Sequence, residues 1–182
     1  MRNIIIMMAF LLVAVNSNAQ VKVEASVRSG QLTINKNKTV PRWNFTALAR
    51  ALGSKGRTRP GYNTTHSYDE LGMVIFEKNK STSKPSDSVG EVQFYFTLVD
   101  TTTVSPSKVY KGSLDIDGLS ISAGLSSDKM KEGLKVYEQT NSYMEHNYRM
   151  VYKGLYIYFK YNEAEDKLLK VSVGPDRSAK SH

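Results

Sequence analysis

The sequence predicts an α+β fold: two tandem copies of a strand/hairpin–helix–antiparallel strand module that share one core. Three observations point there. First, the chain repeats itself at a spacing of 82 residues. Val27, Gly30, Leu32 and Ile34 return as Val109, Gly112, Leu114 and Ile116, Leu52 as Leu134, Gly72 as Gly154, and Ile75 as Ile157. With Thr58/Thr140 and Lys78/Lys160 there are nine ungapped identities between 27–80 and 109–162, where ordinary composition gives roughly three or four. They fall on turn glycines and alternating apolar positions, and the period is too long for a solenoid unit. Second, each copy pairs a hairpin signal with a short, capped helix. Third, each copy closes with two apolar runs that read as antiparallel strands, so the pattern is not βαβ.

Taken in order, residues 1–19 read as a secretory signal peptide. Arg2 is the charged start, Ile4–Val15 is an uncharged run, and Ser17-Asn18-Ala19 offers small residues before a cut at Gln20. The run is short for a membrane span; retention of this segment as an uncleaved anchor is the other reading. The chain has no cysteine, which excludes a lipoprotein signal and disulfides. The first module spans 20–100. Val21, Val23, Ala25 and Val27 alternate with polar residues as a half-buried strand. Gln31–Asn35 follows Ser29-Gly30 as a second extended run. Asn44 is the N-cap of a helix over Phe45–Leu52, Trp43 and Leu48 form a hydrophobic staple, and Gly53 is the natural residue past the end. A polar loop leads to a strand at Leu71–Glu77, opened by Gly72, whose partner is Glu91–Leu98. The Lys/Ser/Pro-rich stretch Lys78–Gly90 reads as a long loop between them. A linker, 101–108, joins the copies.

The second module spans 109–174. Asp117-Gly118 between apolar alternations is a strong hairpin signal. Ser126 takes the cap position, with Leu125 and Met130 as the staple. Leu48, Leu52, Met130 and Leu134 then face the core at i, i+4 spacing. Gly154 opens the strand Gly154–Tyr161, which turns tightly at Asn162–Asp166 into Lys167–Val173. Residues 175–182 read as a disordered tail. One short helix covers only part of a sheet face, so the modules share a continuous sheet or pack face to face.

The formal charge is +8, but the lysines are scattered, as on an ordinary solubilising surface. No basic helix, zinc pattern or aromatic-basic signature points to nucleic acid. His66, His146 and His182 lack metal-spaced neighbours and read as loop residues on a solvated surface. Ser126–Lys129 and Ser81–Lys84 both match S-x-x-K, yet no companion motif follows, and Ser126 is accounted for as a cap. Asp115, Asp117 and Gly118 resemble the start of a calcium loop whose other ligands are missing. Asn37, Asn44, Asn63 and Asn79 head glycosylation sequons, irrelevant in a bacterial protein. Asp69 and Glu70 are candidate paired carboxylates for glycan hydrolysis, although adjacent strand residues point apart. No cofactor motif is present.

Tyrosine is the remaining anomaly. Seven of the 11 tyrosines lie between Tyr137 and Tyr161. Leu155, Ile157, Phe159 and Tyr161 share one strand face; Tyr156 and Tyr158 share the other. Tyrosine is enriched at recognition surfaces and is also a favoured strand residue, so partner contact and sheet packing both stand as readings.

Leu32–Gly53, Tyr68–Met73 and Tyr110–Ile121 resemble a family of exported bacterial envelope proteins of unknown function. Its pattern is a short helix ending in Leu-Gly, an aromatic-Asp-x-Leu-Gly-Ile strand start and an F-x-G-x-L-x-I-(D/N)-G hairpin. Tyr68, Met73 and Tyr110 here replace the usual Trp, Ile and Phe. The resemblance implies an envelope location and supplies no catalytic residues. More distantly, the layout is similar to the beta-lactamase inhibitor protein and to small outer-membrane assembly lipoproteins. The expectation is an exported, non-enzymatic module, periplasmic or secreted, without cofactor, that binds a protein or envelope component through Tyr156 and Tyr158. The alternative is an envelope hydrolase acting on glycan or peptide with Asp69 or Glu70.

Overall fold

Alternation of apolar and polar residues sets both sheets. In chain order the elements are β1 (Glu24–Arg28), β2 (Gln31–Ile34), β3 (Lys38–Thr39), α1 (Phe45–Leu52), β4 (Arg57–Arg59), β5 (Asn63–Tyr68), β6 (Met73–Ser81) and β7 (Lys84–Tyr95), then β8 (Ser113–Ile116), β9 (Leu119–Ile121), α2 (Ser127–Gly133), β10 (Glu138–Thr140), β11 (Asn147–Tyr152), β12 (Leu155–Asn162) and β13 (Lys167–Pro175). This computed structural model describes residues 22–28, 30–35, 38–39, 43–53, 55–81, 84–98, 102–135, 138–140 and 146–176. The expected signal segment, His182 and most of the expected tail lie outside the described residues. The tail reading is corrected at its start: β13 runs through Pro175, and Asp176 bonds to the Gly154 carbonyl and pairs with Arg149.

The smaller sheet has the order β3-β2-β1-β8-β9. β1 pairs antiparallel with β2 and parallel with β8, aligning Val27 with both Leu32 and Ile116. The two halves of the chain therefore meet in one sheet. The β8–β9 hairpin turns on Asp117 and Gly118, both with positive φ, as a type I′ turn requires. The Asp115 carboxylate accepts from the Gly118 N–H at 3.0 Å, so it finishes the turn.

The larger sheet has the order β10-β11-β12-β13-β7-β6-β5-β4. Its order is palindromic: each half contributes four consecutive strands, and the last strand of each half, β7 and β13, pair at the centre. One rung runs His66, Ile75, Val92, Val173, Ile157, Met150 across six strands. Apart from His66 it is apolar and fully buried. This face joins the buried residues of the smaller sheet and both helices in one cluster. The fold is thus α+β and mostly sheet.

The helices start as local sequence dictates. Asn44 accepts from the Ala47 N–H at 2.8 Å, and Gly53 closes α1 at φ 66°. Ser126 accepts from the Lys129 N–H at 3.4 Å, and Leu134 takes the closing position of α2. Trp43 packs half-buried against the core, which takes in Leu48, Leu52, Met130 and Leu134 completely.

Two loop expectations are corrected. Residues 78–81 and 84–90 are strand: they belong to β6 and β7, which stay paired there, with Asn79 facing Pro85 and Ser81 facing Lys84. Pro85 is tolerated because this ribbon carries register shifts on either side of Asn79, and irregular, edge-like pairing can do without a ladder N–H. The polar stretch after α1 is also strand, as β4 and β5. On β5 the polar side chains are buried with partners: the Thr64 hydroxyl donates to Asn79 at 2.8 Å, and Ser67 donates to the Val104 carbonyl at 2.6 Å.

Candidate binding site

The opposite face of the larger sheet carries polar and aromatic residues in register. One rung reads Ser67, Val74, Gln93, Ser172, Tyr158, Arg149; the next reads Tyr95, Lys170, Lys160, Asn147. At the first-half end this face is covered. Residues 102–108, the expected linker, cross it as a strap. Arg57 grips Asp69 through two bonds of 3.1 and 3.2 Å and donates to the Thr103 and Ser105 carbonyls. Asp69 accepts from the Ser107 N–H at 2.9 Å, and Lys108 pairs with Glu70. Val74 beneath is fully buried.

The second-half end is open, and Tyr156 and Tyr158 lie there half-buried. A shallow hollow of about 470 Å³ forms between them and Glu91, Gln93, Lys170 and Ser172, and Asn63 and Arg149 also line it. Tyr156 lies flat because its cross-strand partner is Gly174. A Cβ at that position would stand 2.6 Å from the Tyr156 ring and 2.6 Å from the Gly90 carbonyl oxygen. The ring then reaches across β13, and its hydroxyl donates to Glu91 at 2.6 Å. Arg149, paired with Asp176 at 3.0 Å, lies 5.7 Å from the ring centre. Tyr158 donates to the Asn147 side chain; burial, and secondarily Glu91, pushes its hydroxyl pKa up.

The floor is less well satisfied. Ser172 is 1 % exposed, and its hydroxyl has no hydrogen-bond partner among the described residues. Such an orphan costs about 1–3 kcal/mol. Lys170, two residues earlier on the same face, touches the Gln93 side-chain oxygen at 3.4 Å and stands 5.5 Å from the Tyr95 ring centre. Burial lowers its pKa below the ordinary lysine range; Glu91 works against that shift and Lys160 with it. A second hollow of about 220 Å³ lies alongside, between the strap and Phe76, Tyr95 and Leu169, and shares Gln93 and Lys170.

Other singled-out residues lie elsewhere. Asp69 and Glu70, the hydrolase candidates, hold the strap and do not line the tyrosine hollow. Gly72 and Gly118 make turns, with φ 68° and 93°, and Gly154 turns β11 into β12 at φ 76°. His66 corrects the expectation of a solvated loop. It lies buried on β5, 3.2 Å from the Thr58 hydroxyl and 2.9 Å from Glu77, and stacks on Phe45 at 3.9 Å. Glu77, 3 % exposed, also accepts from the Asp87 N–H at 2.7 Å. Asp87 in turn accepts from the Thr46 N–H at 2.7 Å, at the start of α1. This buried network ties α1 to the sheet. Among the described residues no three His, Asp or Glu side chains gather to hold a metal ion.

The sequence singles out the two tyrosines but not Glu91, Gln93, Lys170 and Ser172, which line the same hollow. Their period-2 spacing on β7 and β13 was the available signal. The β7–β13 pairing that joins them was not readable from either strand.

The family described as domain of unknown function (DUF7738) matches residues 24–131. That range holds the smaller sheet, α1 and β4–β7, and it ends within α2, before the strands that carry the tyrosines. No curated protein matches. Among solved structures, the chain is similar to a cysteine-rich secretory protein from Staphylococcus aureus, at 13% identity and a TM-score of 0.38. The match covers 74% of this chain and 44% of that one.

Proposed function

From a chain that belongs to the DUF7738 family of domains of unknown function, we propose an exported, non-enzymatic binding module whose contact surface is the open end of the larger sheet. One observation carries this reading. The strap seals one half of the outer sheet face, while the other presents two fixed tyrosines around a hollow with an unsatisfied floor. Tyrosines held this way offer large contact area at little further cost in entropy. The hollow is shallow, and Glu91, the one carboxylate among its described lining residues, is engaged by Tyr156 and Gln93. This favours recognition over glycan hydrolysis, which typically uses two carboxylates across the bond.

The scaffold supports the same reading. We take the halves as copies of one module, on the 82-residue spacing and the shared order of hairpin, helix and four strands. The copies differ where one keeps its outer face covered and the other leaves it open. Export rests on the N-terminal residues Met1–Ala19; no helix among the described residues is long and apolar enough to cross a membrane.

The test is capture from envelope extract by the mature protein and by a double Tyr156→Ser, Tyr158→Ser variant. The expected result is a folded variant, with melting temperature within a few degrees of the parent, that has lost the captured component. An unchanged profile from a folded variant removes this surface from consideration. Finding intact Met1 in a membrane pellet would replace cleavage near Ala19-Gln20 with an N-terminal anchor.

A further inference from the structure

We propose that the hollow is a subsite for an acidic sugar, a uronic-acid-type unit whose carboxylate bridges Lys170 Nζ and Ser172 Oγ while its ring rests against Tyr158 and Tyr156. The inference rests on the binding role proposed above and adds the class of ligand. It starts from what the floor lacks. Ser172 Oγ is buried and unpartnered. Lys170 is half-buried, and among the described residues no carboxylate lies within salt-bridge distance of it. The two stand at i and i+2 on one strand face, about 7 Å apart along the backbone. Both can donate, and an acceptor with two oxygens and negative charge satisfies the two together.

The rest of the lining narrows the choice. Glu91 shares the hollow with Lys170. A phosphate dianion would be repelled by that carboxylate, whereas a monoanion gains from Lys170 with less opposition. Asn63, Gln93 and Tyr158 supply amide and hydroxyl groups that both donate and accept, the complement of sugar hydroxyls. Tyrosine rings give the apolar C–H face of a pyranose something to lie on. The volume, about 470 Å³, lies within the range of small-ligand sites. A simple aliphatic acid would leave the amides and rings unused. Burial lowers the pKa of Lys170, so affinity should fall as pH rises through a value below the ordinary lysine range.

The test is titration of the mature protein with glucuronate, glucose and acetate, followed by calorimetry or amide NMR shifts. The expected result is saturable binding of glucuronate at least tenfold tighter than either control. Lys170→Met should weaken it at least tenfold. Ser172→Ala should weaken it severalfold while leaving the melting temperature unchanged or higher, because it removes an orphaned hydroxyl. A Ser172 that served only the fold would give the opposite stability change with no effect on affinity. Equal binding of glucose and glucuronate overturns the carboxylate assignment. Equal binding of acetate and glucuronate reduces the site to an anion hole and overturns the sugar. No binding of any of the three overturns the proposal. If sugars fail but the double tyrosine variant still loses its captured component, the recognition surface stands and only the ligand class falls. If the double variant captures normally, both fall.

Discussion

Gly72 and Gly154 show what a single position can carry. The repeat equates them, and both adopt positive φ, 68° and 76°. Their surroundings differ. A Cβ on Gly72 would stand 2.1 Å from the Tyr110 backbone nitrogen, whereas Gly154 has nothing within 4 Å. Gly154→Ala should therefore cost only the left-handed strain of about 1–2 kcal/mol. Gly72→Ala should cost well beyond that, about 3 kcal/mol or more, because packed backbone cannot move aside. Urea unfolding of the two variants measures the gap, and equal losses would remove the Tyr110 contact from the explanation. The turn itself was legible in the sequence, since only glycine takes that backbone cheaply. The close approach was not, because it depends on where residue 110 returns. The same limit hid His66: its partner Glu77 is a strand neighbour only after β5 and β6 pair.

At the level of elements, the helices follow local signals closely. Cap, staple and apolar spacing lie within one short segment, so sequence suffices. Leu52 and Leu134 are 2% and 0% exposed. Leu52→Ala and Leu134→Ala should each cost about 2–5 kcal/mol; denaturant titrations showing less than about 1 kcal/mol at both would contradict the packing. The β6–β7 hairpin was hidden because its Lys, Ser and Pro residues lack alternation where the ribbon is bulged. The strap depends on charge. The Arg57 guanidinium beside Asp69, helped by the Ser107 N–H, holds its carboxyl below the usual carboxylate range. A carboxyl lowered by folding stabilises the fold above its unfolded pKa, and that share is lost as pH falls through the lowered value. Between about pH 5 and pH 2, the parent should lose more stability than Asp69→Asn, and the two urea midpoints should converge. Parallel curves would mean that Asp69 contributes nothing to the strap.

For the whole molecule, the α+β class was legible from the repeat and the period-2 runs, because these are properties of segments. The partition into a five- and an eight-stranded sheet was not. It depends on two pairings between distant strands, β1 with β8 and β7 with β13, and β strands of similar composition have no unique mate in sequence. The two tyrosines stood out for their anomalous density, while Glu91 and Gln93 reach the same hollow only across that central pairing. A substitution at the seam should reach both. Gly174→Val would drive Tyr156 off the sheet and press on the Gly90 carbonyl. It should cost about 1–3 kcal/mol and weaken capture together, whereas Gly118→Val, at an exposed turn with nothing near, should affect stability alone.

The palindromic order has one more consequence, at the sheet's margins. A sheet of eight strands that does not close must end somewhere, and each end is a row of unpaired backbone groups that invites another chain to add a strand. Among the described residues both ends are three residues long, β4 and β10. β4 reads Arg-Thr-Arg and is exposed throughout, so an incoming strand meets two cations and too few rungs to hold it. The broad sheet is thereby denied a template for growth, and a concentrated solution of this protein should resist fibril formation despite its many strands.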